Sequence, residues 1–460
     1  MSAPPRPLHK RPLFLVTGGV LLLNLVLLLF VQHYWHGDFP FQDEWGYVAR
    51  LQQLPQTGFG HYLFDPYHGY YGPVLFFFWY LAYAWTHLDI EAIRYAGACV
   101  SMLAALLLVV LLYRRSSLQG RPLLLSLAYG VFAVCSLNHY MVYYQSIEAL
   151  VQPFMFGVVL LSMWSGEKTL QGRYSLLWSA LCAVLALVGT GVYAPGLSIL
   201  PAIVGAQILL LRRVSLSSVL LGIFGILLGF FYIHTAHALA RPGEHPAASV
   251  GDLLQAVKMW IGLTGNALFS PHTPRLTLVT YCLGALLLVG QLFGLVGALR
   301  QAPERRRALF IPVALSLYSN LVILEIIGAR LHTVESGLES SFTARYTILS
   351  LAGPVSLLFY GGMLEWTGQL RRLAAAVFFG MAMGTLASEA MILVVLPHYA
   401  QVLATVRTQL ISLQGDPNPF QQTQMMLTPP MKPLVYPGKL YLQQEHLALY
   451  RDGTPPPADP

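Results

Sequence analysis

The chain of 460 residues is 56% hydrophobic and only 10% charged, and its mean hydropathy is +0.58. These values exclude a soluble globular domain and predict an all-α polytopic membrane protein. The formal net charge of +7 does not indicate nucleic acid as a partner, because the basic residues form short clusters between apolar windows, as cytoplasmic anchors do.

The first apolar window, residues 13–31, follows a basic N-terminal stretch but has no small-residue cleavage site after it. We interpret it as an uncleaved first span. The next window, residues 72–85, is only fourteen residues long and is rich in aromatic side chains. Both properties are typical of a helix that lies on the membrane surface. Residues 92–113 then form the second span.

Basic clusters between the later windows define a topology under the positive-inside rule. Placing all of them in the cytoplasm predicts about eleven spans, a cytoplasmic N-terminus and an outer C-terminus. We therefore divide the chain into a transmembrane domain, residues 1–396, and a small Pro-rich outer tail, residues 397–460. The first outer loop covers residues 32–91, and an outer segment at 235–275 contains a predicted surface helix.

Two adjacent carboxylates, Asp43 and Glu44, come soon after the first span, beside Trp45. A carboxylate at the membrane boundary is costly unless it is solvated or paired, which favours a functional role such as a general base. The alternative is a helix start, where acidic residues complement the helix dipole. Neighbouring residues of a helix face different directions, so at most one of the two is the base, and the sequence leaves open which one.

Other residues of the first outer loop extend this pattern. Tyr47 follows the acidic pair, His68 begins a His-Gly-x-x-Gly-Pro step into the aromatic window, and Ile-Glu-Ala-Ile-Arg94 opens the next span. Together with the acidic pair they resemble the GT-C superfamily. Its members are integral-membrane glycosyltransferases that take a sugar from a polyprenyl-phosphate carrier, and they include the protein mannosyltransferase and aminoarabinose transferase branches. The resemblance covers roughly residues 1–200 in topology.

The resemblance implies a catalytic carboxylate in the first outer loop, which corresponds to Asp43, with Glu44 as the other candidate. It also implies a second acidic residue in the next outer loop, where Glu148 is the only carboxylate. With His139 and the nearby tyrosines, Glu148 is suited to binding a sugar, although a capped helix start in an aromatic belt fits equally well. The corresponding residue looks like an aspartate in many relatives, so this chain departs from them here.

The phosphate of the carrier requires a cation near the outer boundary, and arginine is preferred because its fork holds two phosphate oxygens. Arg345 with Tyr346 is the first choice, since a Ser/Thr-x-Arg-Tyr start to a late span is similar to that of relatives in the superfamily. Arg94 and Lys258 are weaker candidates. For each of these residues the alternative is a side chain that only extends to the interface.

The reaction implied by the resemblance transfers a sugar, with inversion, from a polyprenyl-phosphate donor to a hydroxyl of a lipid, glycan or protein acceptor. No cofactor follows from the sequence. A divalent metal stays open, because the outer loops contain histidines and carboxylates, but no pair of them has a recognised ligand spacing.

Two other classes of protein fit the composition. A polytopic transporter or lipid flippase would have buried charges or broken helices near the bilayer midplane. An O-antigen ligase or polymerase would rely on outer arginine and histidine residues. The predominance of Leu, Ala and Arg over Lys is typical of a GC-rich bacterial genome, so we expect the bacterial inner membrane as the location.

Overall fold

The fold is known from a computed structural model of the chain. The residues that it describes are 11–34, 38–41, 43–66, 71–139, 145–171, 174–237, 250–270, 274–331, 347–364, 368–424 and 432–450. They form helices, turns and short connections, without a strand in any of these ranges.

The helices of the first half follow the apolar windows of the sequence. In chain order they are α1 (Arg11–Tyr34), α2 (Glu44–Phe64), α3 (Pro73–Thr86), α4 (Ile90–Arg115), α5 (Gly120–Val134), α6 (Ser146–Lys168), α7 (Ser175–Val192), α8 (Ile199–Leu211) and α9 (Leu216–His237). A short 3₁₀ turn, Leu137–His139, follows α5.

The second half contains both long and short helices. In chain order they are α10 (Val250–Asn266), α11 (Thr277–Leu299), α12 (Pro303–Ala308), α13 (Phe310–Arg330), α14 (Thr347–Ser350), α15 (Ala352–Met363), α16 (Gly368–Ser412), α17 (Pro419–Gln424) and α18 (Lys432–Gln444). Helix α16 continues through Pro397, so the expected boundary between membrane domain and tail lies within one unbroken helix.

Ten helical segments in the described part of the chain are long and apolar enough to cross a membrane, as expected of a multi-pass membrane protein. The sequence predicted about eleven spans; two further apolar segments of the described chain, Pro73–Thr86 and Thr347–Met363, are shorter than these ten. Helix α3 has 14 residues, which at 1.5 Å per residue gives about 21 Å, too short for a hydrocarbon core of about 30 Å.

Helices α6 and α13 lie at the centre of the bundle, while α1 and α9 lie at its edge. In α6 and α13, 78% and 72% of the residues in the apolar window are buried within the protein, against 28% in both α1 and α9. Since lipid is as apolar as leucine, the packing of the central helices depends on close contact and polar links more than on hydrophobicity.

The two ends of the bundle differ in charge and in contacts. At one end, Arg115 of α4 pairs with Glu167 of α6, and the backbone N–H of Ser117 donates to the carbonyl oxygen of Gly362 at 2.7 Å. Arg114 and Arg115, in the last turn of α4, lie at this end, which we call the basic end. The opposite end contains the starts of α4 and α6 and the connection between α1 and α2, and we call it the loop end.

Gly97 allows the backbones of α4 and α6 to come into contact. A Cβ atom at Gly97 would lie 2.5 Å from the carbonyl oxygen of Ala149. Gly97→Ala should therefore push the two helices apart and destabilise the fold by about 1–3 kcal/mol, measured as thermal unfolding in detergent. Gly222→Ala on α9 is the matched control, since a Cβ there meets no atom within 4 Å. Equal unfolding temperatures for the two variants would contradict this account.

Candidate active site

Glu44 is the buried anchor of the loop end. It lies in the first turn of α2 and is only 1% exposed. Its Oε2 accepts a hydrogen bond from the backbone N–H of Phe41 at 2.8 Å. Its Oε1 accepts from the Ser146 hydroxyl at 2.7 Å and from the backbone N–H of Ile147 at 3.0 Å. Because the first N–H groups of a helix have no partner in that helix, Glu44 caps α6 from a different loop.

Arg94 is buried close enough to this anchor for its positive charge to act on Glu44. It is 1% exposed, in the second turn of α4, and its positive charge favours the ionised form of Glu44. A buried carboxylate requires such compensation, since an isolated buried charge is prohibitively costly. The weak phosphate-binding candidate Arg94 therefore lies inside the protein, next to a carboxylate.

Burial and hydrogen bonding act in opposite directions on the pKa of Glu44. Removal from water raises the pKa above its ordinary value of 4.5. The hydrogen bonds from Ser146, Phe41 and Ile147, followed by the charge of Arg94, lower the pKa but offset only part of that rise.

The side chain of Asp43 is more exposed than that of Glu44. Asp43 precedes α2, its side chain is half-buried, and it makes no capping hydrogen bond to the helix. The structure thus separates the acidic pair: Glu44 is turned inward onto α6, whereas the Asp43 carboxylate keeps contact with the surface. Asp43 is thus the more accessible of the two carboxylates, and which of them is the base stays a prediction.

Tyr47 belongs to an aromatic cluster that joins α2 to α3. Its buried ring meets the rings of Phe76 and Trp79 edge-on, with centroids 5.7 Å apart in both pairs. Arg50, which the sequence analysis did not select, lies 4.0 Å above the centre of the Phe76 ring and donates from Nε to the carbonyl oxygen of Tyr62 at 2.6 Å. These contacts fix the first loop on the short aromatic helix.

The two candidates of the second loop are buried and engaged within the protein. Both ring nitrogens of His139 are in hydrogen bonds, Nδ1 with the Thr347 hydroxyl at 2.5 Å and Nε2 with the carbonyl oxygen of Ala133 at 3.0 Å. Glu148 is 5% exposed and accepts from Nε2 of Gln152 at 2.8 Å. Neither side chain faces open solvent.

The remaining candidates are cationic or lie in connections. Lys258 is exposed on α10. His68, Arg345 and Tyr346 lie outside the described residues, so their roles stay predictions. Within the described ranges no group of three His, Cys, Asp or Glu residues could hold a metal ion.

The tail covers the first loop. Arg407, near the end of α16, donates from Nε to Oδ1 of Asp38 at 2.9 Å and from an Nη atom to Oδ2 at 3.0 Å. Gly438 of α18 lies against the ring of Trp45, where an added Cβ would be 3.1 Å away. Lys439 donates to the carbonyl oxygen of Ile411 in the last turn of α16 and to that of Leu413 just after the helix. The tail therefore contacts the first loop on both sides of Asp43 in the sequence, at Asp38 and at Trp45.

Two carboxylates within spans were missed by the sequence analysis. Glu325 of α13 accepts from the Ser198 hydroxyl at 2.5 Å, and Glu389 of α16 accepts from the Ser136 hydroxyl at 2.6 Å and the backbone N–H of Leu137 at 2.7 Å. An acidic residue inside an apolar window is itself a signal of function.

No protein-family profile matches the chain, and no curated protein matches it.

The separation of the acidic pair predicts unequal effects on stability. Glu44→Gln replaces one oxygen by an amide group that cannot accept, so one of the three donors that converge on Glu44 loses its partner. We expect a loss of about 1–3 kcal/mol in the stability of the folded state. Asp43→Asn, the matched control, should change stability by less than about 0.5 kcal/mol. Thermal unfolding in detergent measures both, and a larger loss for Asp43→Asn would refute the assignment.

The raised pKa of Glu44 predicts a pH dependence of known sign. The folded state binds the proton of the Glu44 carboxyl group more tightly than the unfolded state does. The stabilisation that this proton gives to the folded state is fully present below pH 4.5 and is lost as the pH rises through the folded-state pKa of Glu44. The stability advantage of the parent over Glu44→Gln, which cannot titrate, should therefore narrow as the pH rises. Unfolding temperatures of both proteins over a pH series test this, and an advantage that grows with pH would contradict it.

Proposed function

We propose that the chain is a membrane glycosyltransferase of GT-C type, which transfers a sugar from a polyprenyl-phosphate carrier to an acceptor hydroxyl, with Asp43 as the general base. The observation that supports this best is the separation of the acidic pair. One carboxylate, Glu44, is used to build the loop end, and the adjacent one, Asp43, is left accessible on a backbone that its neighbour holds.

The proposed chemistry is a single displacement. Asp43 takes the proton of the acceptor hydroxyl while its oxygen attacks the anomeric carbon of the donor sugar. The bond from that carbon to the phosphate oxygen breaks on the opposite face, and its electron pair leaves with the lipid phosphate, so the anomeric centre is inverted. A cation near the phosphate would stabilise the departing charge, and Arg345 remains the predicted residue for this role because Arg94 is buried beside Glu44.

The proposed orientation places the loop end outside and the basic end in the cytoplasm. The arginines at the ends of α4, α8 and α11 and within α12 support this through the positive-inside rule. A bacterial inner membrane is the proposed location, and the acceptor is a lipid, a glycan or a protein on its outer side.

A transporter or lipid flippase is the second candidate. The carboxylates Glu325 and Glu389, which lie within spans, favour it, since ionisable groups within membrane spans often belong to ion or substrate pathways. Both residues accept hydrogen bonds from serine hydroxyls of other segments, which equally suits structural links between helices.

The decisive measurement is release of polyprenyl phosphate from a panel of polyprenyl-phosphate sugars by purified protein in nanodiscs. Asp43→Asn should lower turnover by a factor of about 10² or more, because the amide cannot take a proton. Asp65→Asn is the matched control, an aspartate of the same loop whose side chain is 56% exposed, and it should keep the parental rate.

The same preparation separates the two candidate functions. A transporter would release no polyprenyl phosphate from any donor and would move a fluorescent lipid-linked sugar across a vesicle bilayer. Glu325→Gln, rather than Asp43→Asn, would then abolish the movement, and the proposal of a glycosyltransferase would be abandoned.

A further inference from the structure

The two described ends of the second loop, residues 136–139 and 145–148, are held by the same arrangement. At its start, Oε1 of Glu389 accepts from the Ser136 hydroxyl at 2.6 Å and from the next backbone N–H, that of Leu137, at 2.7 Å. At its end, Oε1 of Glu44 accepts from the Ser146 hydroxyl and from the next backbone N–H in the same way. Each end is a serine followed by a helical turn, and each is held by a glutamate from elsewhere in the chain.

The physical cause is the same at both ends. Ser136 precedes the turn Leu137–His139, and Ser146 begins α6. The first N–H groups of such turns have no acceptor in their own helix, and a carboxylate is the strongest acceptor available. Glu389 is 7% exposed and Glu44 1%, so neither pair of hydrogen bonds is replaced by water without cost.

Further contacts make the Glu389 end rigid. Oδ1 of Asn138 accepts from the Ser388 hydroxyl at 2.6 Å and from the backbone N–H of Ser270 at 2.8 Å. Its Nδ2 donates to the carbonyl oxygen of Asn266 at 2.8 Å. The start of the second loop is thus joined to α16 and to the end of α10 at the same time.

Helix α16 also reaches the first loop directly. Arg407 lies 18 residues beyond Glu389 on the same helix, which corresponds to about 27 Å, and it binds Asp38, five residues before Asp43. One helix therefore contacts the second loop through Glu389 and the first loop through Arg407.

We propose that Glu389 is a positioning residue for the Asp43 site: it fixes the start of the second loop to α16, the helix that holds the first loop through the contact of Arg407 with Asp38. The role of the site in sugar transfer rests on the proposed function. Glu389 itself touches no substrate in this account. Its effect passes through Ser136 and Leu137.

Two substitutions at one position test the role. Within the described residues the second oxygen of Glu389 has no hydrogen-bond partner, so Glu389→Gln retains an acceptor oxygen for both hydrogen bonds, whereas Glu389→Leu removes them. In Glu389→Leu, the amides of Leu137 and Asn138 should exchange hydrogen about tenfold faster. Its kcat in the phosphate-release assay should fall by a factor of about 10 to 100 with the donor KM unchanged, because misplacement of reacting groups affects the rate of the chemical step. Glu389→Gln should restore the parental exchange and kcat.

Glu325 provides the matched control. It is also a glutamate within a span, but it accepts from Ser198, which belongs to neither loop. Glu325→Leu should lower thermal stability while keeping the parental kcat per folded molecule. An equal fall of kcat in both leucine variants, or unchanged exchange at Leu137 in Glu389→Leu, would overturn the proposal.

Failure of the proposed function and failure of the role of Glu389 give different results. If the parent releases phosphate from no donor, the catalytic role of Glu389 falls with the proposed function. Faster amide hydrogen exchange at Leu137 in Glu389→Leu than in Glu389→Gln would then show that Glu389 fixes the start of the second loop without any role in catalysis.

Discussion

The loop end of this protein depends on one buried carboxylate. Glu44 accepts three hydrogen bonds, two of them from the first residues of α6, and it lies within the field of Arg94 on α4. A buried acidic group is stable only when its partners are present. The first loop, α4 and α6 are therefore expected to fold cooperatively. The close contact of Gly97 with Ala149 has the same consequence, because two helices that touch through backbone atoms leave little freedom to slide.

The membrane helices could be predicted from the sequence because the thickness of the bilayer sets the length of an apolar window. The short helix α3 was predicted on the same grounds, and its length agrees. The separation of Asp43 from Glu44 could not be predicted, since the sequence says that adjacent residues of a helix face different directions but not which one faces inward. That choice depends on Ser146 and Ile147, which are more than a hundred positions away in the chain.

Tyr47, His139 and Glu389 show a second limit of sequence reasoning. A polar or aromatic side chain near a membrane boundary has the same appearance in a sequence whether it faces a substrate or a neighbouring helix. Tyr47 packs on Phe76 and Trp79, and His139 uses both ring nitrogens within the protein. Glu389 lies within a span rather than between spans, and polar residues within spans are the links that hold membrane helices together.

An adjacent pair of carboxylates has a physical advantage for a site at a membrane surface. Consecutive Cα atoms are joined by a rigid peptide unit and lie about 3.8 Å apart. When Glu44 is fixed by its hydrogen bonds, the backbone of Asp43 is held as well, and the position of the Asp43 carboxylate then depends on two side-chain dihedral angles. A longer side chain, or an anchor farther along the loop, would leave more conformations to be restricted when a substrate binds, and each costs free energy. In the proposed function the anchor and the general base are neighbouring residues, which gives a half-buried carboxylate some of the positional precision of a buried one.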